Sequence, residues 1–107
     1  MMNNDYRGDT LFRSYSVSTD NGQYVFQDGD VLETVFRTST GENFLPRTIK
    51  PEQGVEEIDV VWTNDDMKNI PLGSTILETC VKTKDFVKTH QEVLYINEDF
   101  IVGEENA

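Results

Sequence analysis

The chain has 107 residues, 36% of them hydrophobic and 10% aromatic, and its 20 acidic and 9 basic residues give a net charge of −11. This length and hydrophobic content predict a single domain over residues 1–107 and exclude wholesale disorder. The acidity excludes a basic footprint, so we expect no nucleic acid and no membrane among the partners.

The first half of the chain predicts short strands separated by turns. Residues 1–8 are polar, and we expect them to be flexible. Residues 10–18 alternate loosely and predict a strand with Tyr15 inward, and residues 31–38 predict a second strand with Phe36 inward. Between them, Asn-Gly and Asp-Gly pairs mark turns.

The segment from residue 39 to residue 53 predicts a long loop. It contains two prolines, which disfavour a central strand, and few apolar residues. We expect Phe44 or Leu45 to pack against a sheet edge or to reach towards a partner.

Residues 55–67 predict the central core strand and the corner that follows it. Apolar and charged residues alternate there, with Ile58, Val60 and Trp62 on one face. Thr63, followed three residues later by an aspartate, approximates a capping box and predicts one helical turn near residues 64–69.

The second half predicts a strand over residues 75–83, a tight turn, and a returning strand that starts at residue 86. We expect residues 103–107 to be flexible. Together these elements predict an all-β fold, an immunoglobulin-like antiparallel β-sandwich of about seven short strands. Its predicted core residues are Phe36, Ile58, Val60, Trp62, Leu77 and Val81.

Residues that could support chemistry do not form a recognisable pattern. Cys80 lies in a strand-like run and is expected to pack as a small hydrophobe, and His90 is the only histidine. Glu57 and Asp59 share a strand face, which is commonplace for an outer surface. We therefore predict a non-enzymatic protein with no catalytic residues, cofactor or metal; weak calcium binding by its acid-rich turns is an open alternative.

The only basic cluster is predicted on the hairpin, where Lys82, Lys84 and Lys88 precede His90. These side chains could dock an acidic surface of a partner or of a neighbouring copy. Alternatively, lysines on an edge strand discourage aggregation between sheets.

Several turn and corner motifs resemble those of a known family. They are Gly8-Asp9-Thr10, Gly29-Asp30-Val31-Leu32, the run from Trp62 to Met67, and Gly73. The chain resembles the small amino-terminal β-sandwich of phage baseplate upper proteins and related tail or virion proteins of Gram-positive phages and prophages.

The resemblance implies a structural protein of the tail, the baseplate or the head–tail region. Its partners would be other virion proteins or copies of itself. Without a signal peptide, it would be made in the cytoplasm of the bacterial host and then enter the virion. Two alternatives are an acidic inhibitor or decoy that binds a basic, nucleic-acid-binding host protein, and a carbohydrate-binding module that uses exposed aromatics. The candidate aromatics are Tyr6, Tyr24, Phe44 and Tyr95.

Overall fold

The structure is a computed structural model that describes the backbone of residues 3–97 and the side chains of residues 7–97. Strands dominate this part of the chain, and seven of them contain four residues or more. The elements are β1 (Asn3–Tyr6), β2 (Leu11–Tyr15), β3 (Ser18–Thr19), β4 (Gly22–Gln23), β5 (Val31–Thr38), β6 (Asn43–Ile49), β7 (Ile58–Trp62), α1 (Asn64–Met67), β8 (Gly73–Lys82) and β9 (Val87–Asn97). The all-β prediction is confirmed.

Five strands form the larger sheet, in the order β1-β9-β8-β5-β6. Its pairs are antiparallel except for β1, which runs parallel to β9. Because successive side chains of a strand point to opposite faces, alternate residues of the central strands share the inner face. The buried apolar side chains on that face are Leu32, Phe36, Leu77, Val81, Leu94 and Ile96.

The strands β2 and β7 form a separate two-stranded sheet, in which Leu11 lies opposite Trp62 and Tyr15 opposite Ile58. Burial alternates along β7 as predicted, with Asp59 exposed between buried neighbours. Trp62 meets Phe36 of the larger sheet edge-to-face, with ring centroids 5.4 Å apart. The two sheets therefore pack face to face around one core, which is the predicted sandwich arrangement.

The corner after β7 is stabilised by reciprocal hydrogen bonds. The Thr63 backbone N–H donates to Asp66 Oδ2 at 2.8 Å, and the Asp66 N–H donates to Thr63 Oγ1 at 3.3 Å. This capping box starts α1, whose Met67 is buried in the core. The predicted helical turn is confirmed.

The prediction of a long loop over residues 39–53 is wrong, because β6 occupies the middle of that segment and pairs with β5. The register shifts between Thr34 and Phe36 of β5, so that one extra residue of β6 is accommodated there. Leu45, with a φ of 52°, and Pro46 lie at this bulge. A proline is tolerated here because β6 is an edge strand and needs no second partner.

Part of the amino-terminal segment predicted to be flexible, residues 3–6, forms the strand β1. Backbone pairing of β1 places Asn3 opposite Leu94 and Tyr6 opposite Asn97. The chain stays attached beyond the strand, since Arg7 Nε donates to the Ile70 carbonyl at 2.9 Å. An isolated polar segment gives no sign of such pairing, which depends on a distant strand. The tail predicted over residues 103–107 lies outside the described residues.

A second apolar group closes the core beneath the turns that follow β4. Phe26 is fully buried, and Tyr24 packs edge-to-face against both Phe26 and Phe86, with centroids 5.3 and 5.1 Å apart. The Tyr24 hydroxyl donates to the buried Asp30 carboxylate at 2.7 Å.

In the described part of the chain, no helix is long and apolar enough to cross a membrane.

Candidate functional site

The structure places the predicted core residues in the interior. Relative exposure does not exceed 6% for any member of the set Phe36, Ile58, Val60, Trp62, Leu77 and Val81. These residues stabilise the fold, and a binding surface must be formed by other, exposed side chains. The predicted interaction residues Phe44 and Leu45 are half-buried and pack against the same core from the edge strand β6.

The three lysines predicted to form one basic cluster do not share a face. Lys82 lies opposite Val87 on the outer face and pairs with Glu33 at 2.8 Å, whereas Lys88 lies opposite the buried Val81 on the inner face. Lys84 belongs to the turn between β8 and β9. The prediction of a single patch fails because neighbouring positions of a strand alternate between faces. Of the predicted set, Lys88 and His90 remain together.

Lys88 and His90 border a groove of about 420 Å³ between β9 and the chain that runs through β2. Residues 13–18 line one side, and residues 88–90 and Glu92 of β9 line the other. Thr79 and Val81 of β8 line its floor. The groove exists because the two-stranded sheet is narrower than the five-stranded sheet and leaves this part of the inner face uncovered.

An ion pair joins the two walls at one end of the groove. Arg13 Nη2 and Nε donate to the two carboxylate oxygens of Glu92 at 2.6 and 2.8 Å. Both side chains are largely buried, with 25% and 18% relative exposure. A bidentate pair of this kind fixes the relative position of β2 and β9 more firmly than a single exposed contact would.

The floor of the groove contains two buried hydroxyl groups. Among the described residues, neither Tyr15 Oη nor Thr79 Oγ1 makes a well-formed hydrogen bond, although the Thr79 hydroxyl lies near enough to Tyr15 to influence its pKa. Burial raises the pKa of Tyr15 above its ordinary value; the Glu92 carboxylate adds to the increase, while the Thr79 hydroxyl and the Arg13 guanidinium oppose it. The Tyr15 hydroxyl therefore stays protonated and uncharged near neutral pH.

The strand edge beside the groove is open over half the length of β9. On one side β9 pairs with β8 from Val87 to Ile96, and on the other side β1 pairs only with residues 94–97. Within residues 3–97, no strand pairs with the second edge of residues 87–91. All five of these residues are exposed, so their outward backbone N–H and C=O groups are available for hydrogen bonding.

Hydrogen bonds on the outer face hold this open half of β9 in place. Gln91 Nε2 donates to Glu78 Oε2 of β8 at 2.8 Å, and Arg37 Nη2 of β5 donates to Glu78 Oε1 at 2.8 Å. The Gln91 amide and the Arg37 guanidinium lower the pKa of Glu78. Cys80 lies half-buried beside this network and accepts a bond from Thr89 Oγ1 at 3.7 Å.

Two carboxylates of the acid-rich turns, those of Asp30 and Asp66, accept hydrogen bonds within the chain. Asp30 accepts from Tyr24 and from the Gln27 backbone, and Asp66 completes the capping box. The residues that the structure describes contain no group of three or more side chains suited to hold a metal ion. Three of the aromatics proposed for carbohydrate binding are dispersed, with Tyr24 and Phe44 against the core and Tyr95 exposed on the outer face, and the side chain of Tyr6 lies outside the described residues.

Sequence reasoning missed Arg13, Tyr15 and Glu92 as groove residues. Two signals were available: a charged residue, Arg13, on the predicted inner face of β2, and the run of alternate residues in β9. That run changes from lysine, histidine and glutamate to leucine and isoleucine.

Comparison of the chain with protein-family models, curated proteins and solved structures gave no match. The site is therefore defined by its geometry, a groove with one open strand edge, with Lys88 and His90 beside that edge, and with an ion-paired end.

Proposed function

We propose that the chain is a non-enzymatic structural protein of a phage or prophage virion. It would belong to the tail, the baseplate or the head–tail region and act by assembling with other virion proteins. The observation that carries the proposal is the open edge of β9 beside the groove, because exposed strand edges and grooves are surfaces through which β-proteins add further chains.

The family resemblance supports the virion context of this proposal. Three glycines of the resembling motifs, Gly8, Gly29 and Gly73, have φ angles of 88°, 94° and 100°. Residues with side chains rarely adopt such angles, so each glycine allows the tight turn that its motif requires at a strand boundary. These glycines fit a shared turn pattern, and the placement of the chain in a virion depends on the resemblance itself.

Mass spectrometry of purified particles tests the proposed function directly. Particles from the source phage, or from the induced prophage, should contain the protein at a constant ratio to a known structural protein. Lysate from the same induction, depleted of particles, is the control for soluble carry-over. Absence of the protein from repeatedly purified particles would refute the virion role.

A second candidate is an acidic decoy for a basic, nucleic-acid-binding host protein. It is favoured by the net charge of −11 and by exposed carboxylates such as Asp59, on the outer side of the smaller sheet, and Glu57, just before β7. Binding of this kind weakens as salt screens the charges. A pull-down from host lysate at low and at high salt distinguishes the candidates, because the decoy should recover a basic protein only at low salt.

A further inference from the structure

We propose that residues 87–91 of β9 accept an extended, acidic segment of a partner protein as an additional strand of the five-stranded sheet. This inference deepens the proposed assembly role and rests on it for the class of partner, another protein chain. It names the surface, the backbone conformation of the partner segment and the charge that this segment must carry.

The edge itself shows that β9 can hold a strand on this side. Three residues beyond Gln91, β1 already occupies the same edge in parallel, with Asn3 opposite Leu94. An incoming strand beside residues 87–91 would continue that line. In an edge strand, alternate residues direct both backbone N–H and C=O outward, and these groups supply the affinity of strand addition independently of side chains.

The charge of the edge specifies the partner. The edge segment, residues 87–91, contains one lysine and no acidic residue, whereas the whole chain has a net charge of −11. Lys88 and His90 direct their side chains to the inner face, beside the groove. A strand with glutamate or aspartate at every second position would place its carboxylates next to these two side chains.

A second copy of the chain does not fit the same edge. Antiparallel pairing of two copies across residues 87–91 would put both Lys88 ammonium groups on one face, with no carboxylate on either edge segment to offset them. The other edge strand of the sheet, β6, contains Arg47 and no acidic residue, so it is not complementary either. Lys88 therefore discourages self-association while it remains compatible with an acidic strand.

The outer face of the incoming strand is specified less strongly. Val87, which is 63% exposed, and Thr89 would lie beside its outward side chains. β-branched residues suit those positions because they pack well on a pleated surface. The expected partner segment thus alternates acidic residues on the groove side with valine, isoleucine or threonine on the other.

A synthetic peptide provides the test. The peptide acetyl-Thr-Glu-Val-Glu-Val-Glu-Thr-amide is titrated into the full-length chain, and backbone amide NMR reports the site. We expect shift changes and slowed amide exchange at residues 87–91, with residues 94–97 unchanged. The same peptide with lysine in place of glutamate should bind about tenfold more weakly or not at all.

Two variants with the same change in net charge complete the experiment. Lys88→Glu should weaken the acidic peptide about tenfold and gain binding of the lysine peptide, whereas Lys84→Glu, in the neighbouring turn, should change the affinity by less than about twofold. Both lysines are exposed, so the melting temperature should not change. Equal effects of the two variants, exchange protection elsewhere, or no protection at residues 87–91 would overturn the inference.

The outcome is separable from that of the proposed function. If the protein is present in purified particles but the peptide does not protect residues 87–91, the edge inference fails and the virion role stands. If the peptide adds to the edge but particles lack the protein, the virion role fails and the strand-addition site stands.

Discussion

The two halves of β9 belong to one strand and pair with the same neighbour, β8, yet they have opposite surroundings. Residues 94–97 are flanked by β1 and bury Leu94 and Ile96 in the core. In the described part of the chain, residues 87–91 have no strand on that second side, and Lys88 and His90 are exposed beside a groove.

This difference shows how inner-face side chains, together with a neighbouring strand at one edge, can divide a strand into a supporting part and a binding part. Pairing with β8 extends through both halves without a register shift. The inner-face residues change from Lys88 and His90 through Glu92 to Leu94 and Ile96, and β1 joins the second edge only from residue 94 onward. Folding stability should therefore depend on residues 94–97 and on the side chains that cover the core. Binding should depend on residues 87–91.

Truncation of Trp62, which covers the core from the smaller sheet, is expected to have the largest effect on stability. Trp62 is 1% exposed and packs against Phe36, and Arg47 lies over its ring at 5.9 Å. Trp62→Ala should lower the free energy of unfolding by about 3–5 kcal/mol, because it removes a large buried side chain and leaves a cavity. That loss is a large share of the total stability of a small domain, so the variant should be largely unfolded or melt far below the wild type.

Trp62→Phe is the matched control for this prediction. It keeps an aromatic ring at the position and removes an indole N–H that has no hydrogen-bond partner among the described residues. Chemical denaturation should show a clearly smaller loss of unfolding free energy for Trp62→Phe than for Trp62→Ala. A Trp62→Ala protein as stable as the wild type would mean that the tryptophan does not support the sandwich.

The next prediction compares the two halves of β9 directly. Leu94→Ala should destabilise the fold by about 2–5 kcal/mol, because Leu94 is fully buried. His90→Ala, four residues away on the same face, should change stability by less than about 0.5 kcal/mol, because His90 is exposed. Urea denaturation of both variants measures the contrast, and similar losses for the two would remove the proposed division of the strand.

Much of the fold follows from local patterns in the sequence. Strict alternation predicts β7 and β8, and the Thr63 capping box predicts α1, because each of these patterns is decided within a few residues. The strands β1 and β6 were not predicted. Each is an edge strand whose existence depends on pairing with a distant partner, and β6 includes a proline that argues against a strand when it is considered alone.

The groove could be predicted only in part. A basic cluster on the hairpin was visible in the sequence, but the division between Lys82 and Lys88 follows from strand parity and register. The Arg13–Glu92 pair joins residues that are 79 positions apart. No local pattern specifies such a partner, since it depends on how the two sheets face each other.

A weaker, pH-dependent effect should appear at the outer-face bonds that hold the open half of β9. The pKa of Glu78 is lowered in the fold, first by Gln91 and then by Arg37. The unfolded chain therefore binds protons more readily at this site, and the stabilisation is complete above the ordinary pKa of 4.5 and is lost as the pH falls through the lower folded value.

Glu78→Gln measures this contribution when both proteins are melted from pH 7 down to pH 3. At neutral pH the variant should be less stable by no more than about 1 kcal/mol, because Arg37 is half-exposed and solvent screens the pair. The difference should shrink as the pH falls below 4.5. A constant difference at all pH values would show that the ionised form of Glu78 does not contribute.

The smallest effect is expected on the floor of the groove, where Tyr15→Phe removes a buried hydroxyl. Because this hydroxyl has no hydrogen-bond partner in the described part of the chain, its loss should leave stability within about 0.5 kcal/mol of the wild type or raise it slightly. Thr79→Val, at the adjacent unpartnered hydroxyl, should behave alike. The opposite result would be a loss of about 1 kcal/mol of stability in each single variant and no further loss when the two substitutions are combined. That result would reveal a Tyr15–Thr79 hydrogen bond. The groove floor would then be a structural link between the sheets, and binding would be confined to the strand edge.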